Sequence, residues 1–276
     1  MSPSNRYFGG NKSPKSQGIY LAQRFRTEHR LAPGPVERIE QLTELVAADL
    51  LITDLPKGVS ALTVCDPSSG NIVIGVTTSD APYRQNFSLA HEVGHVYAGD
   101  LDSTTAVDPC LNADGEKRAD SFAAHVLCPP ESLSDQLEGR DPTTEEALSH
   151  IVQRFKVSPR AALNQLRRAK LISPDRAREL GSARWTAPAL ASRFGWRDAY
   201  DAEVARASFP RPAPRIVADA TQAYLDGTVS AEAVALARGI SLEQVHRELD
   251  GFIPSPPSTE AKRDPFAALD DFFGED

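Results

Sequence analysis

Ser88 to Gly99 reads S-L-A-H-E-V-G-H-V-Y-A-G and places His91, Glu92 and His95 in an H-E-x-x-H array. On a helix, residues four apart share a face, so His91 and His95 can hold one metal ion together. Glu92 stands about 100° round the helix from His91, near enough to act on a water beside that metal. Two imidazoles suit zinc, and a carboxylate next to zinc-activated water is the chemistry of peptide hydrolysis. Leu89, Val93, Val96 and Tyr97 form an apolar stripe from which both histidines turn away, and Gly99-Asp100 ends the helix.

A catalytic zinc needs a third protein ligand and an open fourth position. The next helical stretch, Glu116 to Leu127 (E-K-R-A-D-S-F-A-A-H-V-L), supplies Glu116 as that ligand. Asp120, four residues on and on the same face, is expected to accept the free N–H of His91 or His95 and so fix its tautomer. His125 falls on the far side of this helix from Glu116 and reads as a packing or surface residue.

R-Q-N-F-S-L-A-H-E-V-G-H followed by E-K-R-A-D-S-F-A-A-H-V-L-C-P resembles the ImmA/IrrE family of metallopeptidases. Arg84, Phe87, Ala90, His91, Glu92, Gly94, His95, Glu116, Ala119, Asp120, Phe122, Ala123, Leu127 and Pro129 match the family pattern position by position. Cys128 stands where the family often has Met, and Gly75-Val76 where an Asn is expected. The resemblance spans about Gly58 to Pro130. It implies an α+β fold: a zincin-like peptidase domain of a small sheet and an active-site helix, followed by a mostly helical region. It also implies one catalytic Zn2+ and cleavage of a helix-turn-helix repressor under stress or DNA damage.

The chain has 276 residues, a net charge of −8 and three cysteines, Cys65, Cys110 and Cys128. The length allows one large domain or two. The cysteines are odd in number and lack metal-site spacing, so they read as reduced thiols of a cytoplasmic protein. Neither a secretory signal nor a run of eighteen apolar residues is expected to direct the chain to a membrane. The acidic balance disfavours broad nucleic-acid binding.

The elements that must position the site divide as follows. Residues 1–18 read as a flexible tail, 19–140 as the zinc peptidase domain, 141–253 as a helical region and 254–276 as a second, acidic flexible tail. Helices are expected over 19–30 and 35–47, a short strand over 50–55, and a hairpin of 59–65 and 71–77 about the turn Asp66–Gly70. By analogy with zinc peptidases, Ile72, Val73, Ile74, Gly75 and Val76 are the candidate strand along which substrate adds. The acidic loop 101–115 joins the two ligand helices. Thr143, with Glu146 three residues on, is expected to cap one helix; Ser158-Pro159 starts the next. This pair has the helix-turn-helix shape. Arg154, Lys156, Arg160, Arg167, Arg168 and Lys170 make it locally basic, and Arg160, Asn164, Gln165 and Arg167 would face nucleic acid. Packing beside the catalytic domain is the favoured alternative. Trp185, Phe194 and Trp196 suit a packing surface or a partner patch. In the tail, Phe266, Leu269, Phe272 and Phe273 read as solvated chain or a docking peptide.

The expected function is that of a zinc endopeptidase. His91, His95 and Glu116 bind the metal, Glu92 is the base, and the substrate is a repressor encoded as a separate chain. Two rivals stand beside it: a DNA- or protein-binding regulator with a zinc scaffold, and a toxin-like peptidase with a neutralising partner.

Overall fold

The computed structural model describes residues 13–66, 68–101 and 113–249. The tail residues 1–12, most of the acidic loop with Cys110, and the phenylalanine-rich C-terminal segment lie outside them. The first helix, α1 (Pro14–Glu28), begins inside the expected tail. Ser13 caps it by accepting from the Ser16 N–H, and Pro14 fits the first turn. Gly18 sits where α1 crosses a later helix, and the buried face carries Leu21, Ala22 and Phe25.

Residues 35–47 do not form the expected helix. Only α2 (Gln41–Glu44), a single turn, is helical there. Arg26 explains part of this: its guanidinium donates to the carbonyls of Ala32 and Gly34, fixing the Pro33–Pro35 segment as a loop. Ile39 and Leu42 are buried all the same, so the apolar spacing served burial without a continuous helix.

Strands β1 (Ala48–Thr53), β2 (Ala61–Cys65) and β3 (Ile72–Thr77) form one sheet in the order β1-β3-β2. β1 runs parallel to β3 from Ala48↔Ile72 to Thr53↔Thr77, and β2 antiparallel from Ala61↔Val76 to Cys65↔Ile72. The site helix α3 (Pro82–Ala98) follows, with Pro82 in its first turn and Gly99 at φ 71° closing it. Next come α4 (Ala113–Leu127), a short 3-10 turn at Pro130–Ser132, and α5 (Leu133–Gln136).

The helices α6 (Glu145–Phe155), α7 (Pro159–Arg168), α8 (Pro174–Ser182), α9 (Ala187–Arg193) and α10 (Arg197–Ala207) complete the first of two compact units, which ends at Pro210. Thr144, not Thr143, caps α6; Thr143 instead donates its N–H to Asp141 in the preceding turn. Ser158 caps α7 as its sequence suggests. Leu148, Ile151, Leu166 and Leu190 join the same apolar core as Phe25, Leu89 and Phe122. The core therefore runs on past Arg140. Trp196 is buried with its Nε1–H on Ser149, and Trp185 donates to Glu145, so both serve packing.

The second unit starts at Arg211. Its helices α11 (Pro214–Leu225), α12 (Ala231–Arg238) and α13 (Leu242–Glu248) gather around Val234 and Val245. Gly239 in the left-handed region ends α12, and a Ser241–Gln244 capping box starts α13. Among the described residues, no helix is long and apolar enough to cross a membrane.

Candidate metal centre

A close helix crossing builds the site. Gly94 lets α3 and α4 meet: a Cβ there would lie 2.9 Å from Phe122 Cδ1 and 3.3 Å from Ala119 Cα. That approach sets Glu116 of α4 opposite His91 and His95 of α3. His91 Nε2 lies 3.2 Å from Glu116 Oε2, and His95 Nε2 lies 3.2 Å from Glu116 Oε1. The two Nε2 atoms are 3.0 Å apart. One ligand atom from each of the three residues lies within 4.8 Å of the others. The sequence-predicted ligand set thus comes together in space.

Each imidazole is oriented from behind. His91 Nδ1 meets Asp120 Oδ1 at 3.0 Å, and His95 Nδ1 meets Asp100 Oδ2 at 3.1 Å. A carboxylate only accepts, so each Nδ1 is set to donate, and in its neutral form each ring would turn the Nε2 lone pair toward the centre. Two lone pairs and a carboxylate converging on one point repel unless a cation joins them. The donor set therefore fits a metal such as zinc. Burial disfavours the charged form of His91, but the Asp120 hydrogen bond and the Glu92 and Glu116 carboxylates outweigh it and hold its pKa above the ordinary imidazole value.

Glu92 is held from the sheet: Thr63 Oγ1 on β2 donates to Glu92 Oε2 at 2.6 Å. Thr63 was missed in the sequence because nothing local marks it. Asp100 was read only as part of a helix stop, yet that stop creates its role. Gly99 turns the chain back so that the Asp100 N–H donates to the His95 carbonyl at 3.0 Å and its side chain reaches the His95 ring. An Asp just after a C-cap glycine, five residues past a ligand histidine, is the signal that could have found it.

Two expectations need correction. The candidate substrate strand Ile72–Val76 lies in the middle of the sheet, hydrogen-bonded to β1 on one side and β2 on the other, and has no free edge. β2, which carries Thr63, is the edge strand beside the site. Gln165 does not face outward as a recognition residue. It is buried, and its Nε2 donates to the carbonyls of Ala124 and Cys128. Arg160, Asn164 and Arg167 do lie exposed, along a groove between α7 and α8. His125 is buried with its Nδ1 on the Ser121 carbonyl at 2.7 Å, a packing residue as expected. The neighbours of the motif are occupied elsewhere: Tyr83 packs on Tyr200, Tyr97 donates to Glu28, and Arg84 binds Asp80 and Ser60.

Residues 45–167 match the family model described as the IrrE N-terminal-like domain. The chain is also similar to the radiation response metalloprotease IrrE of Deinococcus radiodurans, at 32% identity over 100 residues. That match covers 34% of this chain and 30% of the relative, so the chain spans about a third of the relative's length. His91, Glu92, His95 and Glu116 all lie within the matched segment. The segment that builds this metal centre is thus the part of the chain that is similar to the ImmA/IrrE family of metallopeptidases.

Proposed function

We propose that the chain is a zinc-dependent endopeptidase that cuts a helix-turn-helix repressor at one place and so releases stress-response or mobile-element genes. The observation that carries this reading is the His91–His95–Glu116 cluster with Glu92 locked beside it by Thr63. His91, His95 and Glu116 would hold the ion. When bound, zinc supplies the Lewis acidity that activates water and polarises a peptide carbonyl. Glu92 accepts the proton of the attacking water, and delivers it to the amine as the C–N bond breaks. Thr63 leaves one Glu92 oxygen free for that proton by occupying the other.

The position of β2 supports an extended substrate. Among the described residues it pairs only with β3, so its outer edge is open to main-chain hydrogen bonds from a further strand. A strand laid there passes the metal centre and is gripped on both sides of the scissile bond, which suits cutting within a chain rather than at its end. A repressor substrate sets the reaction in the cytoplasm, in keeping with the free thiols of Cys65 and Cys128. The burial of Gln165 weighs against the rival reading, in which α7 reads DNA and the metal serves as scaffold. A toxin-like peptidase would share this active site and differ in its substrate.

The test is incubation of zinc-loaded protein with a neighbouring repressor, followed by intact-mass analysis. One cut is expected with wild type and none with Glu92→Gln. Efficient degradation of casein would contradict site-specific cleavage, and equal cutting by Glu92→Gln would contradict the proposed base.

A further inference from the structure

The two ligand histidines are not supported alike. His91 leans on Asp120, whose side chain is 60% exposed. His95 leans on Asp100, whose side chain is 2% exposed. The other Asp100 oxygen, Oδ1, accepts from Arg118 Nη2, and Arg118 Nη1 donates to Gln17 Oε1 at 3.2 Å. Arg118 is buried too. The chain of contacts thus runs from α1 through α4 and the turn after α3 to a metal ligand.

α1 lies outside the segment matched to the peptidase family. Its approach depends on Gly18, where a Cβ would fall 2.1 Å from the Arg118 carbonyl and 2.7 Å from Ser121 Cβ. A second contact ties α1 to the site helix: Tyr97 donates to Glu28.

We propose that Asp100, Arg118 and Gln17 form a positioning relay that fixes the tautomer and ring plane of His95, and that α1 is thereby part of the metal centre. A water-exposed carboxylate exchanges its partner easily. A buried one held by a guanidinium, on a turn pinned by the Asp100 N–H to the His95 carbonyl, does not. His95 is then the prealigned ligand, and His91 and Glu116 close around the ion. The inference rests on the proposed metal-binding role of the cluster.

The experiment compares zinc affinity of metal-free full-length protein by calorimetry for wild type, Asp100→Ala, Asp120→Ala, Arg118→Lys, Arg118→Met and Gln17→Ala. Melting of each metal-free variant and the visible spectrum of its cobalt(II) form are recorded beside it. Asp100→Ala is expected to lose affinity by about 10- to 100-fold and to alter the cobalt bands, with a much smaller loss for Asp120→Ala. Arg118→Lys should retain more affinity than Arg118→Met, and Gln17→Ala should weaken zinc measurably while the protein stays folded. Equal losses for Asp100→Ala and Asp120→Ala would overturn the proposal. So would lower melting temperatures with unchanged affinity and unchanged cobalt spectra, which would make the relay a packing bridge only. Should the Asp100 and Arg118→Met variants fail to fold, the milder Gln17→Ala and Arg118→Lys decide: wild-type affinity and spectra in both would overturn it. If wild type itself takes no zinc, the metal-centre reading falls, and this inference falls with it.

Discussion

Glu92 and Thr63 meet across the gap between the site helix and the sheet, at 2.6 Å. A hydrogen bond to a charged group contributes about 1.5–3 kcal/mol, and its main effect here is to aim the carboxylate. Thr63→Val keeps the shape and removes the donor. It should lower kcat by about 10- to 100-fold while zinc affinity stays within a few-fold, as measured on the cleaved substrate and by calorimetry. The raised pKa of His91 has a sign that can be followed. In the metal-free protein, its stabilising effect is full below the unfolded imidazole pKa and is lost as pH rises through the folded value. Zinc needs the neutral ring, so its affinity falls as pH drops through that raised value. The increase in melting temperature on adding zinc should therefore grow with rising pH across the histidine range. A zinc-induced shift independent of pH would contradict this. At this scale the sequence was informative where the chemistry sat on one helix face. His91, Glu92 and His95 are set by spacing alone, and Glu116 and Asp120 by the spacing of a second helix. Asp100, Arg118 and Thr63 were not legible, because their roles depend on a turn, a helix crossing and a strand register.

Among the elements, α1 and α4 cross with almost nothing between them at Gly18. Gly18→Ala gains up to about 1 kcal/mol of helix propensity. The added Cβ, however, would meet the Arg118 backbone carbonyl at 2.1 Å, and backbone cannot swing aside as a flexible side chain can. Overpacking costs about 1–3 kcal/mol and should win, giving net destabilisation in denaturant titration. An unchanged midpoint would show that the crossing relaxes freely. The hairpin of β2 and β3 was legible from its β-branched runs and its turn, but the order of the strands was not. β1 pairs in parallel with β3 after an intervening strand, and only that pairing makes β3 central and leaves β2 at the edge. The failed helix over 35–47 has a similar cause. Arg26, on α1, holds the Ala32 and Gly34 carbonyls and so fixes the chain entering this stretch as a loop.

At the scale of the first unit, α1 before the matched peptidase region and α8 to α10 after it share its core. Gln165 of α7 bridges to two carbonyls at the end of α4, from Ala124 at 2.7 Å and Cys128 at 2.8 Å. This bond fixes α7 to the helix that carries Glu116, which explains why a helix-turn-helix-shaped pair occurs here without an outward-facing Gln165. Gln165→Ala should destabilise the first unit by about 2–3 kcal/mol, because buried carbonyls lose their donor. A loss under 0.5 kcal/mol would contradict that role. The basic stretch from Arg154 to Lys170 was readable as a pattern, but whether its polar residues faced inward or outward depended on packing partners tens of residues away.

The central claim is that His91, His95 and Glu116 hold one ion beside a base that is not a ligand. Calorimetric zinc titration of the metal-free protein tests it most directly, on wild type, Glu92→Gln and Glu116→Ala. One equivalent is expected to bind to wild type and to Glu92→Gln with similar affinity, and Glu116→Ala should lose most of it. Zinc binding that survives Glu116→Ala undiminished, or that requires Glu92, would contradict the assignment.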